Sequence, residues 1–173
     1  MRRHHRLLCI LLAALGCASV RGSGPGSPPI QTDRTVYALG DSAGIARLTI
    51  RMTYRNDTGR PVYLPACQGV IPPRLQKRVG DEWVIAYVPM VRMCEDAPVI
   101  VRAGDTFDYR FPVVAGMPGT TFLPRFTVSD VPGTYRVLWE IFATADGNPG
   151  RPTPVRDPLP PEQQISNEFR LVR

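Results

Sequence analysis

Histidine is almost missing from this chain. Its two copies, His4 and His5, stand within the first five residues. Both lie within a segment that reads as an export signal, so a processed chain would carry no imidazole. That excludes Ser-His-Asp and Cys-His activation of a nucleophile and removes the commonest zinc ligand. Lysine is nearly as scarce, with Lys77 the single copy. Long apolar runs are lacking too: Leu7 to Leu15 holds nine residues, against the about 20 that a membrane-crossing helix needs. No stretch shows helical periodicity. Concentrated positive charge is also absent. The formal charge is +6, and without Arg2, Arg3 and Arg6 it falls to +3, from 18 basic and 15 acidic groups. A charge so small and so spread argues against nucleic acid as a partner.

Proline and glycine are plentiful instead, at 19 and 15 copies, as suits short strands joined by turns. At the start, MRRHHRLLCILLAALGC (residues 1–17) has a basic opening, the apolar run and then small residues, the three-part order of a signal peptide. Its end, Ala14-Leu15-Gly16-Cys17, resembles the bacterial lipobox, with Ala14 where that pattern has Leu. The resemblance implies a diacylated Cys17 at the mature N-terminus, and a membrane partner reached through the lipid anchor. Two acyl chains, at about 0.8 kcal/mol per buried methylene, anchor a protein stably. Ala18 after the cysteine, in place of Asp, implies the outer membrane of a two-membrane cell. Ordinary cleavage after Ala18, which would leave the protein in the periplasm, is the alternative. Residues 18–29, ASVRGSGPGSPP, read as a Gly/Ser/Pro tether that reaches at most about 40 Å.

Residues 30–173 read as one all-β domain. Between Arg47 and Arg55, Leu48, Ile50, Met52 and Tyr54 alternate with polar residues, the mark of a half-buried strand. Turn chemistry follows at 56–61, and a strand resumes at 62–64. Residues 74–79 and 82–87 flank Gly80-Asp81, which predicts a tight hairpin. Strands are expected at 99–101 and 107–111, at 135–142 with Tyr135, Val137, Trp139 and Ile141 on one face, and at 167–172. Residues 145–162 read as a Pro-rich loop. Seven to eight antiparallel strands with regular turns predict a β-sandwich.

Cys9 lies in the signal, which leaves Cys67 and Cys94 as an even pair in an oxidising compartment. A structural disulfide across the 65–98 excursion is expected, in preference to a metal or redox role for the two thiols.

Four stretches, YRNDTGRPVYL, LQKRVGDEW, VRAGDTFDY and VPGTYRVLWEIF, resemble the turn and hairpin motifs of bacterial immunoglobulin-like domains found in envelope lipoproteins. Asn56, Pro61 and Leu64 match the first motif, and Lys77, Asp81 and Trp83 the second. Gly104 and Asp105 match the third, with Ala103 where Pro is preferred, and Gly133, Tyr135 and Arg136 the fourth. The resemblance covers residues 45–142 and implies an immunoglobulin-like β-sandwich of 7–8 antiparallel strands. A more distant similarity is to the intracellular proteinase inhibitor-like β-sandwich.

Arg47, Arg51 and Arg55 should share the solvent face of one strand, as a row fit for phosphate or carboxylate groups. The same pattern also suits the plain wet face of an amphipathic strand. Met90, Met93 and Cys94 read as loop packing before a soft-metal site. Trp83 and Trp139 read as core before a sugar platform, and Asn56-Asp57-Thr58 as a turn before a glycosylation site. Glu95 and Asp96 are adjacent, which on a strand turns them to opposite faces. No metal site, cofactor motif or catalytic set is expected. The sequence therefore predicts a non-enzymatic envelope lipoprotein whose partner is an envelope protein or an anionic glycan. A secreted inhibitor or ligand-binding module acting through the 65–98 and 145–162 loops is the alternative. Mass spectrometry of the mature protein should find diacylated Cys17 at the N-terminus; an unmodified start at Ser19 would refute the anchor.

Overall fold

The computed structural model describes residues 26–91, 96–146 and 154–173, so Cys17, Cys94 and most of the tether lie outside the described residues. Three short strands, β1 (Ile30–Thr32), β2 (Val36–Ala38) and β3 (Gly40–Ser42), lead into β4 (Ile45–Arg55). In β4 the period-2 pattern largely holds: Ile50, Met52 and Tyr54 are buried and Leu48 is half-buried against the core, while Arg47, Arg51 and Arg55 are exposed. β5 (Val62–Ala66), β6 (Arg74–Val79), β7 (Glu82–Tyr87) and β8 (Asp96–Val101) follow, then β9 (Thr106–Gly116). β9 is far longer than its aromatic alternation suggested and pairs with β4 from Ile45↔Gly116 to Arg55↔Thr106. Its Pro112 is tolerated because β9 has a strand partner on one side only among the described residues.

The remaining strands are β10 (Gly133–Leu138), β11 (Phe142–Ala145), β12 (Val155–Pro158) and β13 (Phe169–Val172), with a 3-10 turn at Pro161–Gln163. No helix among the described residues is long and apolar enough to cross a membrane. The strands make three sheets: β1 and β3 beside β4 with β9 on its far side, then β2-β13-β10-β6-β7, then β12-β11-β5-β8. Inward side chains from all three join one apolar cluster, including Ile50, Phe111, Leu64, Leu75, Tyr135 and Phe169.

Thirteen described strands replace the expected 7–8, and β2 pairs with β13 in parallel, so the sheets are not wholly antiparallel. Two causes account for the count. β1, β2, β3 and β12 have only three or four residues, too few for alternation to register. The expected strand 135–142 is also split in two. Its four predicted inward residues are all buried, but at the break Trp139 N–H donates to the Gln164 carbonyl (2.8 Å) and Leu159 N–H to that of Ile141 (2.8 Å). Chain from 159–164 thus replaces the ladder there. The expected loop 145–162 contains β12, paired with β11; residues 147–153 lie outside the described set.

Two motifs gain a physical reason. Lys77 is buried, its ammonium donating to the Asp130 carbonyl and lying 3.5 Å from that residue's carboxylate. Gly133 has φ +146°, and a Cβ there would stand 2.7 Å from Lys77 Cε. Positive φ and the close lysine stem both favour glycine at the first residue of β10.

Asn56 is fully buried. Its Nδ2 donates to the carbonyls of Arg60 (2.7 Å) and Val101 (2.8 Å), and its Oδ1 accepts from the Thr58 amide (3.1 Å) and hydroxyl (2.7 Å). Its backbone N–H donates to Asp105 (3.0 Å), and its carbonyl accepts from Gly104 (2.8 Å). All positions of the side-chain amide are used, so the Asn56-Asp57-Thr58 sequon offers no free acceptor nitrogen. Asn56→Ala should cost at least about 2 kcal/mol in urea unfolding, since two carbonyls lose a buried donor.

Burial also raises the phenol pKa of Tyr37, Tyr54, Tyr87 and Tyr135, that of Tyr54 to about 12. The carboxylates of Asp33, Asp57 and Asp130 add to the effect at Tyr37, Tyr54 and Tyr135 respectively. The folded state thus resists a deprotonation that the unfolded chain undergoes near pH 10. The stabilising contribution is complete below that pH and is lost as pH rises through the folded values. The urea midpoint should fall from about pH 10 upward, with tyrosinate absorbance appearing alongside unfolding. A midpoint unchanged over that rise would refute the linkage.

Candidate functional site

The wet face of the β1–β4–β9 sheet forms an open groove of about 930 Å³. Strand register arranges its floor in three cross-strand rows. Asp33 stands beside Arg51, to whose carbonyl its amide donates (2.9 Å), and Arg51 opposes Arg110. Gln31 pairs with Thr53, which opposes Asp108. Pro29 accepts from the Arg55 amide (2.9 Å), and Arg55 opposes Thr106. Ser27 and Pro28 also line the groove.

Arg47, Arg51 and Arg55 do share one exposed face. Arg51 and Arg55 line the groove, whereas Arg47 lies beyond it, opposite Val114. The sequence reading missed Arg110. Its alternation with Phe107, Tyr109 and Phe111 marked it as outward-facing, but only the β4–β9 register sets it against Arg51.

The face is not simply basic, because Asp33, Asp57 and Asp108 line the groove with Arg51, Arg55 and Arg110. Each carboxylate already has a partner. Asp33 accepts from the buried Tyr37 hydroxyl (2.6 Å) and lies 3.7 Å from Arg34 Nε. Asp57 accepts from Arg55 Nε at 2.7 Å, and Asp108 from the Thr53 hydroxyl at 2.5 Å. Arg51 and Arg110 have no carboxylate within 4.0 Å among the described residues. Directly opposed side chains on paired strands have Cβ atoms about 4.5–5.5 Å apart, and like charges so placed repel. The centre of the groove therefore carries two opposed arginines, neither of them paired with a carboxylate among the described residues.

Other candidates resolve differently. Trp139 is buried and donates from Nε1 to the Ile71 carbonyl (3.1 Å). Trp83 is half-buried, with the Arg136 guanidinium 4.4 Å from its ring centroid and Arg78 at 5.8 Å. Desolvation lowers the Arg136 pKa, opposed by Glu168. Met90 is exposed, while Met93, Cys94 and Glu95 lie outside the described residues. Among the described residues no cluster of His, Cys, Asp or Glu is placed to hold a metal. Cys67 sits in the turn after β5, where its amide donates to the Gly69 carbonyl (2.7 Å).

No family model, curated protein or solved structure matches the chain.

Arg110→Gln keeps most of the side-chain stem and removes one of the two opposed charges. It should raise unfolding stability by a few tenths of a kcal/mol at low salt, a gain that high salt erases. A loss of stability would show that the pair does not repel.

Proposed function

We propose that this protein is a non-enzymatic, exported module, anchored through Cys17 at the outer membrane or in the periplasm, whose immunoglobulin-like β-sandwich binds an anionic envelope ligand. The observation that carries this reading is the unpartnered Arg51–Arg110 pair at the centre of a groove open to solvent. The lining contains neither thiol nor imidazole, so recognition through fixed charges is the chemistry these residues offer.

Strand order supports the immunoglobulin-like assignment. β1-β4-β9 corresponds to strands A, B and E of that fold, and β2-β13-β10-β6-β7 to A′, G, F, C and C′. The Tyr135 hydroxyl donates back to the Val131 carbonyl at 2.5 Å, in the manner of the tyrosine corner at the start of strand F. The Cys67–Cys94 disulfide belongs to the same proposal. Ala66 pairs with Asp96, and in the sequence Cys67 follows the one directly while Cys94 precedes the other by two residues. A mature chain unfolded without reductant should show no reactive thiol, and reduction should cost about 3–4 kcal/mol for a loop of about 28 residues.

Titrating the mature protein with soluble phosphorylated or carboxylated envelope glycan fragments, followed by NMR, tests the binding face. Shifts should centre on Arg51, Thr53, Asp108 and Arg110, and vanish in the Arg51→Gln/Arg110→Gln double variant. Shifts confined to 65–98 and 145–162 would favour the loop-acting inhibitor instead.

A further inference from the structure

We infer that the groove selects a compact zwitterion of the phosphoethanolamine type, its phosphate gripped between Arg51 and Arg110 and its ammonium held at Asp108. This rests on the proposed ligand-binding face and names the chemical class that the face takes.

Three observations lead there. Arg51 and Arg110 oppose each other across β4 and β9, which leaves two guanidinium forks free to close on one tetrahedral oxyanion. A phosphate between them also relieves the standing like-charge repulsion, so binding gains twice from the same contact.

Second, the three guanidinium groups lining the groove are matched by three carboxylates. A polyanion laid along the face would meet Asp33, Asp57 and Asp108 as well as the arginines. Repulsion at those points cancels the attraction that a wholly basic row would exert. A ligand bearing one negative and one positive group meets no such conflict.

Third, the spacing fits. Asp108 lies two residues from Arg110 in β9, on the same exposed face, and same-face neighbours on a strand are about 6.6–7 Å apart. A two-carbon bridge between phosphate and ammonium, extended by the reach of the two side chains, covers that span. The Thr53 hydroxyl occupies Asp108 Oδ1 and leaves Oδ2 to accept from the ammonium. Thr53 thereby fixes the carboxylate in position, one row from the phosphate clamp.

The ligand chemistry has two sources, a free phosphomonoester and the esterified headgroup of a lipid. NMR titration of the mature full chain in non-ionic detergent would use phosphoethanolamine, glycerophosphoethanolamine, inorganic phosphate, ethanolamine and polyphosphate. Phosphoethanolamine or its glycerol diester should bind at least about tenfold more tightly than inorganic phosphate, the gain expected from one charge-assisted contact. Preference for the diester identifies the lipid headgroup as source, and preference for the monoester the free compound. Asp108→Asn should erase the advantage over inorganic phosphate while leaving phosphate binding intact. Arg51→Gln/Arg110→Gln should abolish both. Should that double variant unfold, Arg51→Lys/Arg110→Lys keeps the charges, loses the forks and should weaken binding severalfold. Polyphosphate binding best, inorganic phosphate binding equally well, or an Asp108→Asn variant with its preference unchanged would overturn the inference. Glycan fragments that bind this face when both zwitterions do not would overturn it while sparing the broader reading. If none of these ligands shifts the face, both fail.

Discussion

Asn56 sits where two turns, 57–60 and 102–105, meet the ends of β4 and β8, and it bonds to both turns and to the last residue of β8. One amide therefore ties the β4–β9 ribbon to the β5–β8 pair. Its bonds are buried, where a missing partner costs most. The outermost row of the groove, Pro29, Arg55 and Thr106, begins one residue away. Arg55 and Asp57, which neutralise each other, flank Asn56 on both sides. The rigid knot and the charged floor are thus built from the same few residues, and the position of the floor depends on the knot.

Above that knot the floor obeys a single electrostatic logic. Carboxylates are fixed by partners drawn from different places: Tyr37 from β2, Thr53 from within the sheet, and Arg55 from the same strand as Thr53. Each of these carboxylates is engaged away from Arg51 and Arg110. A sheet selected only for stability would not keep two like charges directly opposed. The opposed arginines are thus left without a carboxylate partner among the described residues.

The parts legible in the sequence were those where a local rule operates alone. The alternation along 47–55 marked β4 and its exposed arginines, Gly80-Asp81 marked the β6–β7 hairpin, and Tyr135, Val137, Trp139 and Ile141 marked a buried face. What escaped needed contacts between distant residues. The break after Leu138 comes from Gln164 and Leu159 inserting their backbone groups, and no pattern near 139–141 announces it. Arg110 looked like any outward residue of an amphipathic strand until register set it against Arg51. The row that reads as basic along β4 is balanced by Asp108 of β9 and by Asp33, just past the end of β1, and a single strand cannot show its neighbours' charges.

The parallel pairing of β2 with β13 joins Val36 to Arg170. β2 cannot enter its sheet until chain more than a hundred positions later has been made, and closing so long a loop is slow. The second sheet therefore cannot be completed before residues 170–172 have been made. The order of assembly is set by that contact: the β4–β9 ribbon and the β6–β7 hairpin can pair early, whereas β2 is locked only when the late chain reaches it.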